Sequence, residues 1–270
     1  MSDAPNSRSR LTGRTALVTG GAGYLGSQWI AALVGAGARV ISVDVAAPTT
    51  PDTHGGMLRH ENVDITDAAA VMALQNRLSD DGLVVDVLVN NAAHNAAVGA
   101  AGLDGGDRLE TFPLTRWNEE IAVGLTGAFL CAQAFGPLMA ERGWGSIVNI
   151  SSDLGLVGPD QRLYEIDGVD GSEQPVKPVT YSVIKTGLIG LTRYLATYWN
   201  DRGVRANALC LGGVERDQND VFLERVASRI PLGRMARPDE YREALVFLCS
   251  DASSYMTGSC LVLDGGRTAW

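Results

Sequence analysis

Tyr181 and Lys185 stand four residues apart, a spacing that places both side chains on one face of a helix. A phenol with an ordinary pKa of about 10 is a poor acid or base at neutral pH. An ammonium beside it favours the phenolate and brings that pKa toward the working range. Taken alone, Tyr-x-x-x-Lys occurs on many ordinary helices. Here it follows Ser151-Ser152 at the end of an apolar run, in a chain that also carries a glycine-rich turn, Thr19-Gly20-Gly21-Ala22-Gly23-Tyr24-Leu25-Gly26. Glycine there lets the backbone turn tightly and approach a pyrophosphate with no Cβ in the way. The helix that follows then offers free N–H groups and a partial positive charge. A tight turn without a ligand is the plainer alternative. Asp44 comes 24 residues after Gly20, where a carboxylate can accept hydrogen bonds from an adenosine ribose. The same carboxylate repels a 2′-phosphate, and no arginine follows in Val45-Ala46-Ala47, so the pattern favours NAD over NADP.

These groups need a scaffold that brings strand ends and helix starts together. Short β-branched runs at Thr15–Thr19, Arg39–Val43, Leu58–Val63, Val85–Val89, Ser146–Ile150, Val204–Leu209 and Cys260–Leu263 read as strands. Helical patterns alternate with them near Tyr24–Ala36, Asp67–Leu78, Thr115–Arg142, Tyr181–Asn200, Asn219–Arg229 and Pro238–Ser250. In the first, Leu25, Trp29, Leu33 and Ala36 share a face. Near-continuous apolar strands such as 84–89 suit a sheet covered on both sides. The expectation is α/β: a doubly wound parallel sheet in one domain over residues 13–270, behind a flexible N-terminus at 1–12, with ligands beyond the carboxyl ends of the strands. Two irregular stretches follow strand ends, the Gly- and Ala-rich 94–112 and the long, acidic 153–179. Both read as substrate loops, and a third is expected at 213–230.

Composition narrows the function. The chain has 270 residues, 46% hydrophobic and 20% charged, with 22 basic and 31 acidic side chains and a net charge of -9. Nothing in that balance offers nucleic acid a counterion-releasing surface. Twenty of the 22 basic residues are arginine, so any role that needs lysine has two candidates, Lys177 and Lys185. Cys131, Cys210, Cys249 and Cys260 form no C-x-x-C pair, and His54, His60 and His94 form no ligand cluster. The expectation is a reducing, cytoplasmic setting with no metal. Residues 1–10 contain no apolar core of a signal peptide. Ile121–Ala140 is twenty residues without a charge, but it carries Gly124, Gly127, Gln133, Gly136 and Pro137 between charged neighbours. A helix buried in a core or subunit contact explains it better than a membrane span. That face, with Leu188, Leu191, Tyr194, Leu195 and Trp199 on a later helix, points to burial in a homo-oligomer.

Taken together, Thr19–Gly26, Asp44, Asp64-Ile65, Asn90-Asn91-Ala92-Ala93, Ile147–Ser152, Tyr181–Lys185, Gly212-Gly213 and Leu263-Asp264-Gly265-Gly266 resemble the short-chain dehydrogenase/reductase family, in its order and over nearly the whole chain. The resemblance implies a Rossmann-like seven-stranded domain. In it Tyr181 transfers a proton while nicotinamide exchanges hydride with a carbonyl or alcohol. It also implies that Lys185 holds the nicotinamide ribose and lowers the tyrosine pKa, that Ser152 hydrogen-bonds the substrate oxygen, and that Asn90 supports the central strand. The cofactor set it implies is Gly20, Gly23, Tyr24, Leu25, Gly26, Asp44, Asp64, Ile65, Asn91, Ala92, Ala93, Tyr181, Lys185, Gly212, Gly213 and Val214.

Three departures accompany the likeness. The glycine spacing is similar to that of a longer sugar-nucleotide branch, while length and ending resemble the shorter reductase branch. Ser152 and Tyr181 are 29 residues apart, the surplus being the 153–179 loop. Gly124 aligns with the family's usual catalytic asparagine, which holds a water beside the lysine; glycine removes that side chain and opens space. His94, Asp153, Gln161, Arg162 and Tyr164 are the expected substrate contacts, and such a polar set suits a polyhydroxylated or charged small molecule. The run from Ser151 to Gly155, with Pro159-Asp160 and Lys177–Tyr181, is similar to a subgroup tied to bacterial surface-sugar and flagellin modification. The leading expectation is an NAD(H)-dependent oxidoreductase acting on a secondary alcohol or ketone of a sugar-like metabolite. The alternatives are a 3-oxoacyl or small-ketone reductase, and an NAD-binding sensor or scaffold impaired by Gly124.

Overall fold

Seven of the apolar runs become parallel strands: β1 (Thr15–Thr19), β2 (Arg39–Asp44), β3 (Leu58–Asn62), β4 (Val87–Asn90), β5 (Gly145–Ser152), β6 (Val204–Leu211) and β7 (Cys260–Leu263). The computed structural model describes residues 8, 10–47, 55–94, 98–99, 102–103 and 108–270. The sheet order is β3-β2-β1-β4-β5-β6-β7. Successive side chains alternate between its faces. Leu17, Ile41, Leu88 and Ile147 pack on α2 (Ala68–Asp80), α4 (Gly127–Arg142) and α5 (Val179–Tyr198) through Leu74, Phe135 and Leu195. Ala16, Val18, Val40, Val89 and Val148 pack on α1 (Tyr24–Gly35) and α7 (Arg242–Cys249) through Trp29, Leu33 and Leu248. The central strands β1, β2 and β4 are covered on both faces and read as near-continuous apolar runs, whereas the edge strand β3 is polar and only partly buried. The winding reverses between β1 and β4, which opens a crevice beyond their carboxyl ends.

Element ends decide what reaches that crevice. β5 runs two residues beyond its expected end, so Ser151 and Ser152 are its last residues. Asp67 caps α2, its Oδ1 accepting the N–H groups of Ala69 at 2.8 Å and Ala70 at 3.2 Å. The helix expected over 115–142 is interrupted: α3 (Leu114–Ile121) and α4 are joined by a π-helical turn at Ala122–Thr126, with Gly124 buried within it. The whole stretch is long and apolar enough to cross a membrane by length and composition, yet Cys131, Phe135 and Met139 lie in the core. Leu11 is also in the core and its N–H reaches the Ala36 carbonyl, so the fold begins ahead of residue 13. The 153–179 stretch is organised by 3-10 turns at Asp153–Gly155 and Gln161–Tyr164, and α6 (Asp220–Ala227) lies within 213–230. Of the 94–112 loop, Val98–Gly99 and Gly102–Leu103 pair as a short antiparallel ladder; much of the rest, with His54 elsewhere, lies outside the described residues.

Candidate active site

One cavity of about 620 Å³ runs along the carboxyl ends of the strands, from Asp44 at one end to Tyr181 and the 153–179 loop at the other. Its nucleotide-like end is built on the β1–α1 turn. Gly20 has φ +66°, and a Cβ on it would stand 2.8 Å from the Ala92 Cα. Asn91 clamps this turn: its Nδ2 donates to the Thr19 and Gly20 carbonyls at 3.0 and 3.1 Å, while Trp29 Nε1 donates to its Oδ1 at 2.8 Å. Thr19 Oγ1 in turn accepts the N–H groups of Asn91 and Ala92. Gly23 precedes helix α1 as its N-cap residue and offers no side-chain cap, which leaves the helix's first N–H groups for an anion. Asp44 accepts the N–H groups of Ala22 and Ala46, both at 3.0 Å. A carboxylate has room for further donors, such as ribose hydroxyls. Asp64 also lines the cavity; hydrogen bonds from the Thr66 N–H and hydroxyl hold its carboxyl below the usual range. A side-chain-free turn, an uncapped helix start and an acceptor at the second strand's end together fit a dinucleotide.

The other end gathers the reactive groups. Ser152 Oγ donates to Asp153 Oδ1 at 2.7 Å, and Arg267 from the chain's last turn binds the other carboxylate oxygen. Lys185, one turn beyond Tyr181 on α5, donates from Nζ to the Ile150 carbonyl at 2.8 Å and lies 5.7 Å from the Tyr181 ring centroid. Burial pushes the Tyr181 phenol up to about 12, against a hydrogen bond with Ser152 that pulls it down. Burial also pushes the Lys185 ammonium down to about 8. Asn90 Nδ2 donates to Asn149 Oδ1 at 2.8 Å, tying β4 to β5 behind the site.

Every residue of the expected cofactor set lines this cavity, as do Ser152, His94, Asp153 and Tyr164. Gln161 and Arg162 do not. Gln161 Oε1 accepts the Lys177 N–H at 2.8 Å, and Arg162 forks onto Asp160 at 2.7 and 2.8 Å, so both fasten the loop instead of facing the cavity. The space expected to open at Gly124 is closed: a Cβ there would stand 2.7 Å from Cγ2 of Ile184, which packs with Ala128 and Leu188. An apolar side chain from α5 thus fills the place of a polar one from the π-helical turn.

Several features of the cavity go beyond the expected contacts. Arg267, in the turn that follows β7, reaches the site by its side chain, which binds Asp153 just beyond β5. Phe222, Val226, Ile230 and Met235 form an apolar wall on and beyond α6. Tyr24 Oη donates to the Glu215 carbonyl at 3.3 Å and the Arg216 guanidinium lies 4.7 Å over its ring, so the segment after β6 closes on the glycine turn.

Comparison with known proteins agrees with this geometry. The family model described as short chain dehydrogenase matches residues 14–164, and one described as enoyl-(acyl carrier protein) reductase matches residues 169–268. D-threitol dehydrogenase of Mycolicibacterium smegmatis is 34% identical over 270 residues, covering 96% of this chain and 94% of its own. A short chain dehydrogenase from Leptospira borgpetersenii, solved with bound NAD+, superposes with a TM-score of 0.85 at 29% identity, over 99% of this chain and 98% of that one. A gluconate 5-dehydrogenase from Burkholderia cenocepacia, in complex with NADP and tartrate, gives 0.83 at 28% identity, over 98% of both chains.

Proposed function

This chain belongs to the short-chain dehydrogenase/reductase family of oxidoreductases, and from that premise we propose that it is an NAD(H)-dependent enzyme interconverting a secondary alcohol and a ketone on a polyol or sugar-like metabolite. The observation that carries the reading is the meeting of Ser152, Tyr181 and Lys185 at one end of a cavity whose other end is Asp44 and the bare glycine turn. When bound, the nicotinamide supplies the carbon that takes or gives hydride. Tyr181 takes the alcohol proton in oxidation and returns it in reduction. The Ser152 hydroxyl holds the reacting oxygen, and the Lys185 ammonium favours the phenolate.

Asp44 supports NAD: it lies beside Val45 and Asp64 in the cavity lining, a pair of carboxylates where a 2′-phosphate needs a cation. Around the reacting end, Asp153, Tyr164 and Arg267 can hold several oxygens, which supports a hydroxylated substrate, while the wall beside α6 can take its carbon skeleton. The threitol and gluconate 5-dehydrogenase likenesses support the same class. Self-association as a homodimer or homotetramer and a cytoplasmic setting belong to the same reading. Phe129 on α4 and Tyr194 and Tyr198 on α5 support the former, being exposed aromatics.

The test is turnover of a panel of tetritols, hexitols, sugar acids and acyl thioesters with NAD(H) and NADP(H), beside Tyr181→Phe. The expected result is polyol or sugar-acid oxidation with kcat/KM at least about tenfold higher for NAD. Tyr181→Phe should lose roughly 10³-fold or more in kcat while cofactor binding persists. Preferential reduction of acyl thioesters with NADPH would overturn the reading, and cofactor binding without any turnover would favour a sensor or scaffold.

A further inference from the structure

Arginine is the default cation of this chain, and the two lysines among 22 basic residues are Lys177 and Lys185. Both are buried, and both bring Nζ to the same ring: Lys185 at 5.7 Å and Lys177 at 4.1 Å from the Tyr181 centroid. Arginines such as Arg162 and Arg234 sit at the surface in ion pairs with Asp160 and Glu240. An ammonium on a slim stem can be buried whole and its charge answers to its surroundings, whereas a guanidinium stays charged and needs a broad fork of partners. Lys185 follows from helical spacing alone. Lys177 arrives from another element, the end of the 153–179 loop, where Pro178 begins the approach to α5 and Gln161 holds the Lys177 backbone N–H.

Among the described residues, the groups around Lys177 come from several elements. Lys185 lies on α5, Asp153 follows β5, and Glu120 lies on α3. Arg267 of the chain's last turn holds Asp153, and Arg116 and the Thr180 hydroxyl hold Glu120. Tyr164 lines the same cavity. Two buried carboxylates, each already engaged, thus flank two ammonium groups packed on one phenol.

We infer that Lys177 is a second positioning residue for proton exchange at Tyr181: its ammonium, packed on the ring, joins Lys185 in favouring the phenolate and so in setting the pH at which the tyrosine gives up its proton. The inference rests on Tyr181 as the proton-exchanging group of the function proposed above. Burial, and then the neighbouring Lys185 charge, push Lys177 down to about 8, so its charge is present at neutral pH and is lost as pH rises through 8. Alcohol oxidation needs the phenolate, so removing the charge moves the acid limb of its pH profile upward.

The test labels the full chain with trifluorotyrosine, whose fluorines acidify the phenol and bring its ionisation down toward the range in which Lys177 is charged, and follows the Tyr181 fluorine resonance with pH. That resonance is identified by its loss in Tyr181→Phe. Lys177→Met should raise the Tyr181 midpoint by roughly 1 pH unit, and Lys177→Arg should bring it back toward the parent value. Lys177→Gln carries the same prediction as Lys177→Met where the latter folds poorly. An unchanged midpoint in either neutral variant overturns the inference. With an alcohol substrate in hand, the acid limb of kcat in oxidation should move the same way; a rise in KM with the limb in place identifies a substrate anchor and also overturns it. If no alcohol is turned over, the proposed function fails, while the fluorine titration still decides the role of Lys177.

Discussion

The hydroxyl of Ser152 donates to Asp153, whose second oxygen is held by Arg267, so the reacting centre is coupled to the last turn of the chain. Both charges are largely out of water, the Asp153 side chain at 5% exposure and Arg267 at 14%. Removing one partner of such a pair leaves an uncompensated buried charge. Arg267→Met should therefore lower the unfolding free energy by about 3 kcal/mol in urea titration. Asp153→Asn in that background should recover part of the loss, because the two substitutions share one interaction. A loss within a few tenths of a kcal/mol would show the pair to be solvated. Spacing made Tyr181 and Lys185 legible as a pair, since a helix fixes which residues share a face. Arg267 was not legible, because nothing local relates position 267 to position 153.

At the scale of elements, the decisive contact is between the π-helical turn and α5. Gly124 and Ile184 meet there so closely that a Cβ at 124 has no room while Ile184 keeps its place. Gly124→Asn should thus not simply restore a polar group. It should overpack the contact and cost about 1–3 kcal/mol in denaturant unfolding, and Ile184→Ala in the same chain should reduce that cost. Equal costs in both backgrounds would mean that the asparagine side chain finds space elsewhere. The apolar, uncharged run through 121–140 identified a buried helix from sequence. The π-helical interruption was not visible, because its backbone bonds arise from packing against α5 and the sheet, not from the side chains of the run itself.

For the whole molecule, the net charge of -9 and the sheet buried on both faces describe a single α/β body with its cavity at one edge. The aromatics left exposed on α4 and α5 carry the prediction about assembly. Phe129 is 46% exposed and Tyr194 and Tyr198 are each 60% exposed, with the two tyrosines stacked at 5.6 Å. Light scattering should give a mass two or four times 28.5 kDa, and Tyr198→Glu should lower it. A parent mass of one chain at micromolar concentration would remove self-association from the functional reading.

Periodicity and local spacing determined much of this protein from sequence alone. Alternating apolar runs and helical stripes establish the doubly wound sheet, since burial on both faces imposes its pattern on each segment separately. Glycines at the β1–α1 turn and an aspartate at the end of β2 mark the dinucleotide end, because that chemistry requires particular residues at particular backbone positions. Tertiary structure decided what depends on distance through space. It brought Lys177 and Arg267 to the reacting centre and turned Gln161 and Arg162 to the loop's own hydrogen bonds. It also filled the space beside Gly124 with Ile184. The contacts of Arg267 with Asp153 and of Gly124 with Ile184 join segments far apart along the chain, whose separation carries no trace of their meeting, so only the packing of helix and chain end could reveal them.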